Sequence, residues 1–245
     1  MSQERKLLNR RGDVVLITYR EYVLKDGREV LLSEVKDPIA VVIGGPGLHP
    51  AVAAELATMS EGETRTVVID GRPFFGVPDP ANIVKVPREP LEAMLGELRP
   101  GATLQLGGRV GTVKEVKEDH VVIDFNHPYA GLNVYSRVTL VKKLSDPEEE
   151  AKALVRSIFG YYADAIQVSV SKSRVVVATS PDVLLLGDLA ARLAALNASL
   201  SMALPNRTVT FVITPEVVSG RVPRYWRGCI TKLSKGSGDG KAEGS

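Results

Sequence analysis

One cysteine, Cys229, stands in 245 residues. An internal disulfide is therefore impossible, and a reducing compartment fits the chain. Aromatic residues are scarce at 5%, which leaves the packing of any core to Val, Leu, Ala and Ile. Histidine occurs only at positions 49, 120 and 127. No paired-His or Cys-x-x-Cys spacing accompanies them, so no metal site is written in the sequence, and no cofactor is expected. A large excess of one charge is also missing. The formal net charge is +2, too small for a whole-molecule nucleic-acid footprint. No apolar run reaches the roughly 18 residues of a membrane helix, and MSQERKLLNRRGD at the start lacks the apolar core of a signal peptide. The expectation is a cytoplasmic protein without membrane contact.

What is present suits a soluble globular chain. Apolar residues make up 44% and charged residues 24%, and the length suggests two or three domains. GDVVLITYREYVL (12–24) is rich in β-branched and aromatic residues and reads as a strand. Asp26-Gly27 is a hairpin signal, EVLLSEV returns as a second strand, and IAVVIGG (39–45) reads as another short strand. HPAVAAELATM (49–59) turns Ala- and Leu-rich with Pro50 at its start, which predicts a helix of about three turns. ETRTVVID (63–70) is strand again. Residues 71–90 hold five prolines around a short strand NIVKV and predict an ordered, non-helical loop. EPLEAML (89–95) predicts one or two helical turns, after which ATLQLGG, RVGTVKEV and HVVIDFN read as short strands, followed by VYSRVTLVKKL (134–144).

Residues 145–162 open a new segment, with Asp146 as N-cap, Pro147 in the first turn and three glutamates at the positive helix end. IQVSVSKSRVVVATS (166–180) reads as a hairpin turning at SKS, and residues 182–204 as the longest helix. RTVTFVITPEVV (207–218) closes with a strand. Beyond it, GRVPRYWRGCITKLSK sets Arg221, Arg224, Arg227, Lys232 and Lys235 around Tyr225 and Trp226, ahead of a low-complexity end.

VVIDFNHPYAG (121–131) brings Asp124, Asn126 and His127 together. Those side chains can move protons or hold metals. They also fix turns by bonding nearby backbone, and a turn is the reading adopted.

The order strand, hairpin, strand, short helix, strand, aromatic-Gly loop resembles the FKBP-type peptidyl-prolyl cis-trans isomerases. ITYREYVLKDG, GPGLHPAVAAELATMSEGETRTVVI and FFGVPDPANIVKVPRE carry the resemblance, with Met59, Gly62, Glu63, Phe75 and Gly76 at the family's spacing. DFNHPYAG is similar to the Asn-His-x-Leu-Ala-Gly turn of the SlyD-like branch. The resemblance implies an α+β fold: an FKBP-like antiparallel sheet wrapped on one short helix (residues 1–85 plus 128–145), an inserted small β domain in the flap (86–127), and a C-terminal α-β-β-α-β domain (146–220) like that of long archaeal members. A basic tail (221–245), expected to be disordered, follows.

It further implies an X-Pro isomerase that is also a folding chaperone for unfolded or nascent polypeptides. The prolyl pocket would fall on Tyr19, Leu48, His49, Val52 and Phe75. Several positions depart from the family pattern. Phe75 keeps a ring without a hydroxyl, Val52 stands for a larger floor residue, Ile39 for an aromatic, and Leu31 for the hairpin aspartate. Pro50-Ala51 replaces Pro-Gly, and either Ser136 or Tyr135 takes the place of a wall phenylalanine. The client surface would fall on Val86, Leu91, Met94 and Leu95. Two alternatives stay open: a holding chaperone with a weakened pocket, and a ribosome- or RNA-associated protein using the basic tail.

Overall fold

The computed structural model describes residues 8–214. The basic segment 221–235, the last part of the expected strand 207–218 and the low-complexity end lie outside the described residues. In chain order the elements are β1 (Val14–Lys25), β2 (Arg28–Val42), α1 (Pro50–Leu56), β3 (Thr64–Ile69), α2 (Arg72–Phe75), β4 (Ile83–Pro87), α3 (Arg88–Leu95), β5 (Thr103–Leu106), β6 (Arg109–Val116), β7 (His120–Asp124) and β8 (Val134–Lys143). They continue with α4 (Pro147–Phe159), β9 (Ile166–Val170), β10 (Arg174–Thr179), α5 (Leu189–Ala203) and β11 (Thr208–Ile213). Three sheets result, ordered β2-β1-β8-β3, β4-β7-β6-β5 and β11-β10-β9. This is a mixed α+β architecture with few helices, compatible with an FKBP-like fold.

Local chemistry accounts for the elements and for the departures from expectation. Asp26 and Gly27 both take positive φ, 51° and 73°, as a two-residue hairpin with right-handed strand twist requires. The two strands expected at 29–35 and 39–45 are one strand, β2. Pro38 does not break it, because β2 is at a sheet edge and the missing N–H costs no ladder bond. α1 is shorter than expected and ends at Leu56, where Thr58 N–H turns back to Glu55 C=O at 2.9 Å. The loop after β3 is not free of helix. Pro73 sits early in the single turn α2, where a proline forfeits no hydrogen bond, and Asp79 caps a 3₁₀ turn over Pro80–Asn82. The expected helix 182–204 begins only at Leu189. Pro181–Leu185 is a 3₁₀ turn, and Gly187, about 1 kcal/mol worse than alanine in a helix, lies between the two. α4 starts as its sequence predicts, Asp146 accepting from Glu149 N–H at 2.9 Å, and stops at Gly160 with φ 55°.

The chain divides into two compact units. The first holds the described residues up to Arg20, Ser33–Val67 and those from Ser136 on. In its core Val14, Ala40, Val42 and Leu144 from the long strands pack with Leu154, Phe159, Val175, Val177, Leu196 and Leu200 from the C-terminal segment. Ser157 Oγ accepts from Ala40 N–H at 2.6 Å across the same junction. β10 pairs antiparallel with β9 and parallel with β11.

The second unit holds Glu21–Leu32 and Val68–Tyr135. Its centre is the sheet β4-β7-β6-β5 with α3 laid across it, closed over Leu91, Leu98, Leu104, Val113, Val121 and Ile123. Six buried aliphatics, each worth roughly 1.5–3 kcal/mol, make a small core. Gly111 is required there: a Cβ would stand 2.7 Å from Ile123 and 2.8 Å from the Phe125 ring.

Candidate active site

In the first unit, Tyr19 lies half-buried in mid-β1. His49 is the N-cap of α1, its extended backbone (φ −61°, ψ 136°) turning the chain into the helix while Nδ1 accepts from Ala51 N–H at 3.2 Å. The imidazole is thus engaged as a cap. Leu48 before it is half-buried. Val52, 5% exposed, points inward with Ala53 and Leu56. Below the helix, Arg65 binds Glu55 at 2.8 Å, Glu63 at 2.6 Å and Thr58 Oγ1 at 2.7 Å. These contacts raise the guanidinium pKa, chiefly through Glu55, and brace the Met59–Glu63 turn. Ser136 is buried on the β8 face shared with Val138 and Leu140, whereas Tyr135 is half-buried on the opposite face.

In the second unit the polar stretch 121–131 meets the Phe75 loop. α2 is held by Gly71 C=O, which accepts from the N–H groups of Phe74 and Phe75 at 3.0 and 2.8 Å. Gly71 itself passes so close to Leu132 that a Cβ would lie 1.9 Å from the Leu132 carbonyl oxygen and 3.0 Å from the Phe75 ring. Asp70 accepts from Arg72 N–H and from its guanidinium, the latter holding the carboxyl below its usual range. Gly131 N–H donates to Gly76 C=O at 3.0 Å and ties the two loops.

The Phe75 ring is walled on two sides. His127 stacks on it with centroids 5.0 Å apart at 13°, and Tyr129 meets it edge-on at 5.5 Å and 75°. His127 and Tyr129 also meet each other edge-on at 5.5 Å, and Lys25 Nζ lies 5.8 Å over the Tyr129 ring. Tyr129 N–H donates to His127 Nδ1 at 3.1 Å, which orients the imidazole and leaves Nε2 as the protonated nitrogen of the neutral ring. Behind the rings Asn126 is the fastener. Its Oδ1 accepts from Asp79 N–H at 2.9 Å, and its Nδ2 donates to Asp79 C=O at 3.0 Å and Asp124 Oδ1 at 2.9 Å. Burial works against ionisation of Asp124, but the Asn126 N–H groups and Lys114 at 3.3 Å outweigh it and hold the carboxyl below its usual range. A cavity of about 350 Å³ opens beside His127, lined by Lys25, Asp79, Lys114 and Asn126 among others; Phe75 and Tyr129 do not line it.

The turn reading of Asn126 therefore describes its backbone work, but His127 and Tyr129 add something that reading lacks. Both present rings to Phe75. The available signal was their i, i+2 spacing around Pro128 in a turn already aligned with the Phe75 loop. Among the described residues no group of His, Cys, Asp or Glu is arranged to hold a metal.

Of the candidate client-contact residues, Leu91 is only 2% exposed and belongs to the core under α3. It cannot meet a client without opening the unit. Helix periodicity does not separate the three, since positions 91, 94 and 95 share one face; Leu91 packs in the core, while Met94 and Leu95, one turn on in the last turn of α3, lie 64% and 42% exposed. Val86 is half-buried against the same core. Ile83, Val84 and Val110 are further exposed aliphatics of this unit. Among the described residues no helix is long and apolar enough to cross a membrane.

No family model matches the chain. Individual relatives do. A probable FKBP-type 16 kDa peptidyl-prolyl cis-trans isomerase of Pseudomonas fluorescens is 31% identical over 124 residues, covering 48% of this chain and 81% of the relative. The FKBP-type isomerase SlyD of Helicobacter pylori is 26% identical over 144 residues, 54% of this chain and 75% of that protein. A short-type peptidyl-prolyl cis-trans isomerase of Methanocaldococcus jannaschii is 27% identical over 117 residues, 48% of this chain and 74% of its own length. With the aromatic loop geometry above, these similarities assign the chain to the family of FKBP-type peptidyl-prolyl cis-trans isomerases.

Proposed function

We propose that this protein catalyses cis/trans isomerisation of X-Pro bonds in unfolded or nascent chains, with the α3-bearing sheet unit holding the client. The observation that carries the reading is the half-exposed ring cluster Phe75–His127–Tyr129, whose His127 also borders an open cavity. The barrier is amide resonance, roughly 18–20 kcal/mol. Lowering it needs no nucleophile, only a wall that desolvates the prolyl ring and binds the twisted amide better than the planar one. Phe75, buttressed on both sides, is that wall. It has no hydroxyl, and the phenol of Tyr129 and Nε2–H of His127 are the donors we assign to the twisted carbonyl. Tyr19, Leu48, His49 and Val52 enter by family resemblance.

The finer assignment is to the SlyD-like branch with an inserted chaperone domain and a C-terminal α+β extension. The exposed Met94 and Leu95 on α3 support it, because flexible Met side chains suit promiscuous apolar contact. Holding a client on α3 raises the local concentration of its prolines at the rings. The experiment uses a proline-limited refolding protein and a short Leu-Pro peptide side by side. The double variant Met94→Ser, Leu95→Ser should lose about tenfold or more on the protein substrate and nothing on the peptide. Equal rates on both substrates would rule out client holding by α3. A second reading, a holding chaperone with a weakened pocket, draws on the missing hydroxyl at Phe75 and the small side chain of Val52. It expects suppression of client aggregation without acceleration of the peptide. The RNA-associated reading rests on the basic tail, which lies outside the described residues.

A further inference from the structure

Within the first unit a cavity of about 770 Å³ opens between the long-strand sheet and the C-terminal segment. Leu16 and Leu144 line its floor, Ala153 and Arg156 of α4 one wall, and Ile166 and Val168 of β9 another. β9 is an edge strand, paired with β10 alone. Its register tells which backbone groups are free. Ser171 N–H donates to Arg174 C=O at one end of the β9–β10 ladder, and Ser180 N–H to Ala165 C=O at the other. Antiparallel pairs alternate, so residues 165, 167, 169 and 171 turn their N–H and C=O toward β10. Residues 166 and 168 turn theirs away. Ile166 N–H is taken by the preceding 3₁₀ turn through Ala163 C=O. That leaves Ile166 C=O and both backbone groups of Val168 without a partner among the described residues, on a strand lining an apolar-floored cavity.

The rim adds a free cation. Lys142, Lys152 and Arg156 face Glu149 and Asp164 around it. Lys142 is paired with Glu149 at 3.8 Å and Lys152 with Glu148 at 2.6 Å. Arg156 and Asp164 have no ion pair among the described residues, which leaves Arg156 as the rim's free cation and Asp164 as its free carboxylate.

We infer that this cavity is a second polypeptide-binding site, separate from the Phe75 cluster, which takes an extended acidic-apolar segment of an unfolded chain as an added strand on β9. The segment's backbone completes the bonds that Ile166 and Val168 leave open. Its apolar side chains, at every second position, enter the cavity above Leu16 and Leu144, and an acidic side chain meets Arg156. Recognition through backbone is tolerant of sequence, as a client site requires. A proline is not needed by this site.

The test uses the full chain and a fluorescein-labelled decapeptide alternating Val with Thr, carrying two Asp and no Pro, read by fluorescence anisotropy. Val168→Pro removes the outward N–H while sparing the β10 ladder, as edge prolines do. It should weaken binding about fivefold to tenfold, the worth of one backbone hydrogen bond, while Val168→Ala binds within about twofold of the unaltered protein. Arg156→Glu should weaken it several-fold and reverse the salt dependence. The same peptide N-methylated at alternate residues should not bind the unaltered protein, which decides the matter even if Val168→Pro fails to fold. Phe75→Ala should leave binding intact. Equal binding of the N-methylated peptide, or loss of binding in Phe75→Ala, would overturn the inference. So would a dimer in sedimentation velocity that Val168→Pro dissociates, which would make a second copy the occupant of β9.

Discussion

Glu150 carries a prediction whose sign and size follow from its surroundings. It sits in the first turn of α4, only 9% exposed. Burial pushes its carboxyl from the ordinary 4.5 up to about 7, and the neighbouring Asp13 and Asp146 push the same way, against Arg207 and Lys143. The folded protein therefore keeps a proton between pH 5 and 7 that the unfolded chain has released. The stabilisation from this proton is complete below the unfolded value of 4.5 and drains away as pH rises through about 7. The full shift would be worth roughly 3 kcal/mol, and solvent screening at this partly wet helix start reduces it to about 1–2 kcal/mol. Glu150→Gln mimics the protonated form. At pH 4 its urea-unfolding free energy, followed by far-UV circular dichroism, should match that of the unaltered protein. At pH 8 it should be about 1–2 kcal/mol more stable, a rise in Tm of about 2–8 °C. Other carboxylates contribute their own slopes to both proteins, so the difference between the two curves isolates this group. A difference that stays constant from pH 4 to 8, or one that favours the unaltered protein at pH 8, would refute the reasoning.

Other consequences are more local. Gly71→Ala sets a methyl into the Leu132 carbonyl oxygen and against Phe75; it should cost about 2 kcal/mol or more and lower peptide isomerisation, whereas Gly76→Ala, with nothing within 4 Å, meets only its positive φ of 75°. Leu91→Ala should destabilise the sheet unit by about 2–4 kcal/mol and expose the β4–β7 amides to hydrogen exchange. Tyr129→Phe keeps the ring packing and should lower kcat while leaving thermal stability within a degree or so, which would separate the hydroxyl's assigned role from simple support.

The sequence made the periodic parts of the molecule legible. β1, the Asp26-Gly27 hairpin, the strands of the small sheet and the capped start of α4 all carry local signals that the tertiary structure does not overrule. Continuity of β2 through Pro38 was hidden, because edge position decides whether a proline breaks a strand, and edge position is a property of the sheet. The late start of α5 turned on a competition between leucine-rich helix propensity and the Gly187-Asp188 step, which composition alone does not settle. At the candidate site, Phe75 could be aligned by loop spacing. Its stacking on His127 could not, since the contact joins residues 52 positions apart through a turn whose conserving force, the Asn126 hydrogen bonds, is itself long-range. Leu91 was not distinguishable from Met94 and Leu95 by helix phase, since all three share one face; how far along α3 the core cover extends is a property of the packed unit.

The most direct test of the central reading is the isomerisation rate of a short Leu-Pro peptide with purified protein beside its Phe75→Ala variant. Acceleration in proportion to protein, falling about tenfold to a hundredfold in the variant, is the expected result for a wall that binds the twisted amide. A rate equal to the uncatalysed one, or one that Phe75→Ala leaves unchanged, would contradict the assignment of isomerase chemistry to this ring cluster.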